Sequence, residues 1–159
     1  MKTAVIVGNP KAKSRTLEAG VLVAKKLTGT DPDLVLDLIE LGPGLLEFGN
    51  AKVNEAIEAV RGCNVLICAS PTFKATYTGL LKLFLDQIPS DGLAGITAFP
   101  VMLGAGPAHL LAPELLLKPV LVELGAICPS VGLYLIDKSF AEDPRLDAWV
   151  ARAKPLLPK

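Results

Sequence analysis

The sequence predicts a doubly wound α/β fold, in which a five-stranded parallel sheet of strand order 2-1-3-4-5 carries helices on both faces. Strand-like and helix-like hydrophobic patterns alternate along all 159 residues, which is typical of parallel sheets with helical crossovers. The units recur about every 30 residues, the length of a βαβ unit. We expect one domain, residues 1–159, because no linker or internal repeat divides the chain.

The first half of the chain contains three predicted strands and two predicted helices. The strands are Thr3–Val7, 33–38 and 64–69, and the helices are 14–28 and Ala51–Arg61. Ser14 and Asn50 are suitable caps for the two helices, and apolar residues recur at helical spacing behind each of them. The third strand is almost wholly apolar, as expected for a strand covered on both faces.

The second half contains three predicted helices and two predicted strands. The helices are 76–88, 108–124 and 144–154, and the strands are 96–103 and 127–136. Pro100 and Pro129 fall inside these strands, where each removes a main-chain donor. We expect each proline to mark a bulge, a bend or a later start of its strand. The Gly-Pro-Gly cluster at 42–44 is a predicted surface loop.

Charge and composition exclude several classes of function. Sixteen basic residues balance sixteen acidic ones, which argues against a general binder of nucleic acid or acidic membranes. No apolar run approaches the roughly 18 residues of a membrane-spanning helix, and the N-terminus is predicted to be a first strand, not a signal peptide. The cysteines form no even framework and no C-x-x-C pair, which favours reduced thiols and a cytoplasmic protein.

The loop after the first strand, residues 8–16, is a candidate phosphate site. It leads into a helix N-terminus, where free N–H groups and the helix dipole attract an anion. Ser14 and Thr16 add hydroxyl groups, and Lys11, Lys13 and Arg15 raise the local positive potential. In the alternative interpretation, Ser14 is only a helix cap and the basic residues are solvated. The loop lacks the glycine and Gly-Lys-Ser/Thr pattern of a P-loop.

Two further loops are predicted to converge on the same edge, because the carboxyl ends of parallel strands share it. Residues 71–77 offer backbone N–H groups, the ring of Phe73 and the cation of Lys74, which suits a flat, electron-accepting heterocycle. The alternative is a plain connection with Phe73 in the core. Residues 104–109 carry two glycines that let backbone approach a ligand closely. His109 follows them, and a structural role is favoured for it over catalysis.

The residues absent from the sequence also limit the chemistry. A single histidine leaves no Cys/His metal cluster at ligand spacing, and there is no G-x-S-x-G nucleophile motif. No metal site and no catalytic side chain is therefore predicted. A site that binds a phosphate-bearing aromatic ligand without acid–base groups fits a cofactor that performs the chemistry itself, and flavin is the natural candidate.

The sequence resembles the NAD(P)H-dependent FMN reductase family of the flavodoxin-like superfamily. Within that family it is most similar to the flavin reductases of two-component alkanesulfonate monooxygenase systems. The resemblance rests on a Gly-x-Pro…Ser-Arg-Thr pattern in residues 5–16 and on Ser-Pro-Thr-Phe-Lys-Ala-Thr-Tyr-Thr-Gly-Leu-Leu-Lys at 70–82. It continues through residues 104–112 and 117–121. Members of this group can carry a π-type irregularity in the helix that contains Leu115.

The resemblance implies FMN-binding residues in all three loops. The phosphate loop contributes Asn9, Ser14, Arg15 and Thr16; the isoalloxazine and ribityl chain are bordered by Pro71, Thr72, Phe73 and Lys74; and the ring edge lies against Gly104, Ala105 and Gly106. In this assignment Lys74 offsets the negative charge that develops near N1 and O2 of the reduced ring.

The implied activity is hydride transfer from NADPH or NADH to N5 of FMN, with reduced FMN supplied to a partner monooxygenase. The resemblance also implies a homodimer or homotetramer to which the helix at 77–88 contributes, although an internal position against a two-sided sheet equally explains that helix. Two alternatives stay open. FMN remains bound and reduces quinones, azo dyes or metal oxyanions, or the protein is a flavodoxin-like electron carrier, which a net charge of zero disfavours. A phosphosugar or nucleotide module without redox function leaves Phe73 and Tyr77 unexplained.

Overall fold

The five strands form one parallel sheet in the order β2-β1-β3-β4-β5, which confirms the predicted flavodoxin-like topology. The computed structural model describes all residues from Met1 to Lys159. The strands are β1 (Thr3–Val7), β2 (Leu34–Asp37), β3 (Val65–Pro71), β4 (Thr97–Gly104) and β5 (Leu133–Ile136). The α-helices are α1 (Arg15–Thr28), α2 (Ala51–Arg61), α3 (Gly79–Leu85), α4 (Lys118–Glu123) and α5 (Pro144–Ala153).

Alternate residues of the strands build two separate cores, one on each face of the sheet. In β1, Ala4 and Ile6 belong to a cluster with α2, α3 and α4, whereas Val5 and Val7 pack with α1 and α5 on the other face. This two-sided burial explains why the strands are apolar at every position and do not alternate. No helix is both long enough and apolar enough to cross a membrane.

Pro100 lies within β4 without breaking it. The strand pairs continuously with β3, with Cys68 opposite Pro100. The N–H of Ala98, two residues earlier, donates to Ile127 on the β5 side, so position 100 faces the same way. Pairing with β5 begins only at Val101. Position 100 therefore faces no acceptor on β5, and the missing N–H of proline costs no hydrogen bond. The expected bulge, bend or late start is absent here.

Pro129, in contrast, marks a strand that begins later than the hydrophobic pattern suggests. Ile127 forms only an isolated bridge to Thr97, and β5 starts at Leu133. The sequence between them runs as a loop, which agrees with one of the expected consequences of this proline.

The predicted helix over 108–124 is divided into three pieces. A 3₁₀ turn covers Pro107–His109, a π-helix covers Pro113–Leu117, and α4 follows directly. In the π-helix the N–H of Lys118 bonds to the carbonyl of Pro113. A proline is the first or second residue of all three pieces, since a residue without an N–H fits a first turn better than a helix interior. The π-helix agrees with the irregularity that the family resemblance allows.

Residues 38–46 are not a plain loop. A segment of 3₁₀ helix spans Leu38–Leu46 with a break at Gly42. Leu38 and Leu45 from it are buried, so this connection closes one side of the core below α2 and α3.

Helix α3 is shorter than the predicted 76–88 and packs into the core. Leu81, Phe84 and Leu85 are buried, which supports the explanation of its apolar character as an internal position. Tyr77, Leu80 and Leu83 are only partly buried. The helix touches the start of the phosphate loop, because a side-chain carbon on Gly8 would lie 2.4 Å from the Leu81 Cβ.

Candidate functional site

A polar cleft of about 510 Å³ opens at the carboxyl edge of the sheet, where the loops after β1, β3 and β4 meet. Nine of the eleven predicted ligand residues line this polar cleft, and they are Asn9, Ser14, Arg15, Thr16, Pro71, Thr72, Phe73, Gly104 and Ala105. Lys74 and Gly106 are not among its lining residues. The cleft also takes in Lys11, Lys13, Glu18, Leu103 and Asp137.

The start of α1 forms the end of the polar cleft that suits a phosphate group. Ser14 caps the helix, with its hydroxyl accepting the Leu17 N–H at 3.3 Å. The N–H groups of Arg15 and Thr16 have no acceptor within the chain, as expected in a first turn. Asn9 donates through Nδ2 to the Thr16 hydroxyl at 2.9 Å. Ser14 is therefore a helix cap, as the alternative interpretation predicted. The capped turn nevertheless leaves two main-chain donors free for an anion.

Asp37 at the end of β2 holds the middle of this loop. Its Oδ2 accepts the Lys13 N–H at 2.9 Å, and Lys13 adopts a left-handed backbone with φ of 50°. Asp37 is buried, and its second carboxylate oxygen has no partner. A buried carboxylate beneath the loop thus fixes a strained turn just before the helix cap.

The second loop is a tight turn that projects an aromatic ring. The N–H of Phe73 bonds to the Thr76 carbonyl at 2.9 Å, and the reverse bond is 3.2 Å. Both residues between them, Lys74 and Ala75, have positive φ, which is the geometry of a type I′ turn. Phe73 is 52% exposed, so it is not a core residue, and the alternative of a plain connection with a buried ring is wrong.

Thr72 supplies an unused polar atom beside this turn. Its main-chain N–H is tied to the Leu103 carbonyl at 2.7 Å. Its Oγ1 is buried and has no hydrogen-bond partner, although the residue lines the polar cleft. Buried hydroxyl groups are almost always bonded, so this oxygen is available to a partner from outside the chain.

Gly104 ends β4 at a position where only glycine fits. A Cβ there would lie 1.8 Å from the Tyr134 hydroxyl oxygen. That hydroxyl donates to the carbonyl of Gly106 at 2.9 Å, which places Gly106 as the anchor of the third loop. His109 is exposed and borders a separate apolar cavity, so the structure assigns it no contact with the polar cleft.

Asp137 is a charged cleft residue that the sequence analysis did not identify. It follows β5 directly, and its Oδ2 lies 3.2 Å from Nη2 of Arg15. Its N–H donates to the Gly104 carbonyl at 3.0 Å, and its Oδ1 is buried without a partner. The rule that gathers strand ends at one edge also applies to β5 and could have identified it.

An apolar cavity of about 480 Å³ lies on the surface beside the second and third loops. Leu110, Leu111, Leu115 and Leu116 line it together with Ala75 from the turn. All four leucines are exposed. The π-helix and the short 3₁₀ turn before it therefore present an unusual amount of apolar surface next to the candidate site.

The chemistry available in the polar cleft is that of binding and orientation. It offers free main-chain donors, three cationic side chains, hydroxyl groups and an exposed aromatic ring. These groups suit an anionic tail at α1 and a planar head between the turn at Phe73 and the end of β4.

Comparisons with known proteins agree with this arrangement. The family model for NADPH-dependent FMN reductase matches residues 1–141. The FMN reductase (NADPH) of Escherichia coli strain K12 is 33% identical over 130 residues, which cover 79% of this chain and 68% of that protein. The FMN reductase (NADPH) of Pseudomonas putida is 34% identical over 94 residues, but the match spans only 48% of its length. The NADH-dependent FMN reductase SfnF of Pseudomonas fluorescens is 26% identical over 150 residues, covering 89% of this chain and 80% of SfnF.

A solved structure supports the same relationship. The apo form of the NADH:FMN oxidoreductase EMOB superposes with a TM-score of 0.88 and 32% identity, covering 99% of this chain and 90% of that one. Because the family model spans most of the sequence and the fold matches throughout, the chain belongs to the NADPH-dependent FMN reductase family.

Proposed function

We propose that the protein binds FMN in the polar cleft and is an NAD(P)H:FMN oxidoreductase. The observation that carries the proposal is that a single cleft joins a helix N-terminus rich in donors to an exposed ring and an unpartnered hydroxyl. Membership of the FMN reductase family supports the same activity. The residues assigned to the ligand are proposals that the following contacts support.

The phosphate end of the ligand fits the first turn of α1. The free N–H groups of Arg15 and Thr16, the Ser14 and Thr16 hydroxyl groups and the Arg15 guanidinium form a compact donor set. Charge-assisted hydrogen bonds of this kind are strong. Lys11 and Lys13 line the same cleft and add positive potential without being fixed by ion pairs.

The planar end of the ligand fits between the second and third loops. Thr72 supplies a buried oxygen that lacks a partner, Phe73 supplies an aromatic surface, and Gly104 leaves the edge of β4 open because it has no side chain. FMN bound here would supply an N5 atom that accepts a hydride from reduced nicotinamide. The chain's own contribution is to orient both ring systems and to limit the access of water. Lys74 and Gly106 do not line the cleft, so their assignment to the cofactor stays a prediction.

A flavin titration and a steady-state assay test the proposal directly. FMN added to the protein should be bound, and NADPH or NADH should be oxidised only when FMN is present. Arg15→Ala should weaken FMN while leaving riboflavin binding nearly unchanged, because riboflavin lacks the phosphate. Lys26→Ala is a matched surface control, since Lys26 pairs with Asp147 and neither residue lines the cleft. No nicotinamide oxidation with FMN and any acceptor would refute the proposed activity.

Dialysis distinguishes the two ways in which FMN can serve this enzyme. A protein that loses its colour but oxidises nicotinamide when FMN is added uses the flavin as a substrate. A protein that stays yellow holds it as a prosthetic group for quinone, azo or metal-oxyanion acceptors. Relatives are named for NADPH in Escherichia coli and for NADH in Pseudomonas fluorescens, so the assay must compare both nicotinamides.

We also propose that residues 1–159 form a single domain that assembles as a homodimer or homotetramer in the cytoplasm. The exposed leucines of the apolar cavity and the half-buried Tyr77 and Leu80 of the α3 region support self-association. Free cysteines without disulfides suit a reducing compartment. Light scattering after gel filtration should show a multiple of the 16.7 kDa chain, and a monomer at micromolar concentration would contradict the assembly.

The proposed physiological role is to supply reduced FMN to a flavin-dependent monooxygenase. Its test is a coupled reaction in which product formation by such a monooxygenase depends on this protein, FMN and reduced nicotinamide together. Product formation without this protein would contradict the role.

A further inference from the structure

Arg15 and Asp137 form an ion pair inside the polar cleft. Arg15 is the first residue of α1, and Asp137 follows the last residue of β5. Nη2 and Oδ2 are 3.2 Å apart, and the side chains are 55% and 27% exposed. The pair therefore links the start of α1 to the end of β5 within the lining of the cleft where the ligand's anionic tail is expected.

Asp137 is poorly suited to a cleft that receives a phosphate. Its Oδ1 is buried and unpartnered, and its main-chain N–H is tied to the Gly104 carbonyl, so the backbone holds the carboxylate at the cleft. Glu18 is the only other acid among the lining residues, and it is exposed. A fixed carboxylate at this position both engages the guanidinium and repels an approaching anion.

We infer that Asp137 competes with the ligand's phosphate for Arg15 and thereby holds FMN affinity low enough for the flavin to leave. This inference rests on the proposed FMN site. Partly exposed ion pairs contribute little stability, so a phosphate that also receives two free N–H groups can take over the guanidinium. Binding then exchanges one partner of Arg15 for another, and release of the flavin restores the original pair.

The test compares the wild type with Asp137→Asn, which keeps the side-chain shape and removes the charge. FMN dissociation constants and dissociation rates are measured by flavin fluorescence, with riboflavin as the ligand that lacks phosphate. We expect FMN to bind about threefold to fivefold more tightly and to leave correspondingly more slowly, while riboflavin affinity stays within about 1.5-fold. Asp137→Glu, which keeps the charge, should show no gain.

Two controls separate competition from other effects. Asp147→Asn removes the same charge from the remote pair with Lys26 and should leave both affinities unchanged. In an Arg15→Gln background, Asp137→Asn should lose most of its gain in FMN affinity, because no guanidinium remains to be released. A benefit of undiminished size in that background would show direct repulsion and overturn the competition. Thermal unfolding of each variant verifies that it is folded.

The outcomes also separate this inference from the proposed function. If the wild type binds FMN and Asp137→Asn binds it equally or less tightly, the inference is wrong and the FMN site stands. If the wild type binds neither flavin and oxidises no nicotinamide with FMN, both fail.

Discussion

Alanine at position 104 should destabilise the fold and weaken FMN binding at the same time. Gly104 lies at the end of β4 against Tyr134, whose side chain is buried with 4% of its surface exposed. A Cβ at this position would lie 1.8 Å from the Tyr134 hydroxyl oxygen and 2.8 Å from the ring carbon that carries it. The ring must therefore move, and its hydrogen bond to the Gly106 carbonyl is lost with that movement.

The expected size of the effect is the sum of two terms. Forcing extra volume into a packed site costs about 1–3 kcal/mol, and the loss of one hydrogen bond costs about 0.5–1.5 kcal/mol. We therefore expect the free energy of unfolding to fall by about 1.5–4.5 kcal/mol. Urea denaturation followed by far-ultraviolet circular dichroism measures this change, and fluorescence titration measures the accompanying loss of FMN affinity.

Two further variants test the assigned cause. A Cβ on Gly106 would meet no heavy atom within 4 Å, so Gly106→Ala should leave stability almost unchanged. Adding Tyr134→Phe to Gly104→Ala removes the atom in closest contact and should recover part of the loss. A Gly104→Ala protein whose unfolding free energy lies within about 0.5 kcal/mol of the wild type would refute the close approach at this strand end.

Three other outcomes follow from local contacts. Combining Ser14→Ala with Arg15→Ala should weaken the free energy of FMN binding by about 2–4 kcal/mol, measured by fluorescence titration. An unchanged dissociation constant would place the phosphate elsewhere. A hydrogen bond from Arg145 lowers the pKa of Asp143 below its ordinary 3.8. The pair therefore stabilises the fold above that pH, and this stabilisation is lost as the pH falls through the lowered pKa. The difference in unfolding free energy between the wild type and Asp143→Asn, measured in urea, should disappear in acid. Burial raises the pKa of the Cys68 thiol far above its ordinary value, and a thiol reagent at neutral pH should modify it only after denaturation.

Local signals were sufficient for the sheet and for most element boundaries. Ser14 caps α1 as predicted, and Gly29 ends that helix with a left-handed backbone of φ 86°. These are short-range effects, because a cap needs only neighbouring N–H groups and a glycine needs only its own backbone. Right-handed crossovers limit the possible topologies, and five strands in one doubly wound domain favour the observed order.

The sequence-based predictions were wrong where a contact between residues far apart in the chain decides between two locally possible structures. Either Thr76 or Thr78 could begin α3. Only the hydroxyl of Thr78 both accepts the Leu81 N–H and donates to the carbonyl of Gly8, 70 residues away. Pro100 is a similar case, since its tolerance depends on where β5 begins to pair. Neither fact is encoded in the neighbouring sequence.

The polar cleft was predictable in outline for a topological reason. The carboxyl ends of parallel strands meet at one edge, so the sequence alone predicts that loops far apart along the chain lie together. Asp137 was not predicted because a carboxylate opposes the binding of a phosphate, the chemistry that the other cleft residues indicate. The side chain of Lys74 was assigned to the ligand both from its charge and from the resemblance, but Lys74 is not among the residues that line the cleft.

Backbone strain is concentrated beside the polar cleft. Four residues other than glycine have a left-handed backbone, and they are Lys13, Lys74, Ala75 and Asp91. Such a conformation costs roughly 1–2 kcal/mol per residue. At Lys13 the bond to Asp37 offsets that cost and delivers the chain to the cap of α1 with two donors free. The strain is thus tied to the presentation of these donors, which local preference alone would not produce.

The turn at Phe73 also has a left-handed backbone at residues other than glycine. Type I′ turns favour Asn-Gly at their central positions, but here Lys74 and Ala75 occupy them, so the sequence resembles an ordinary loop. Two hydrogen bonds between Phe73 and Thr76 hold a conformation that the central residues disfavour. The result is an aromatic ring held outside the core, with 52% of its surface exposed. Strained residues of this kind persist where the surrounding structure fixes them, and they cluster at ligand sites. Because two independent loops bear such a cost on either side of the same cleft, the simplest physical account is selection for a bound ligand rather than for stability of the fold.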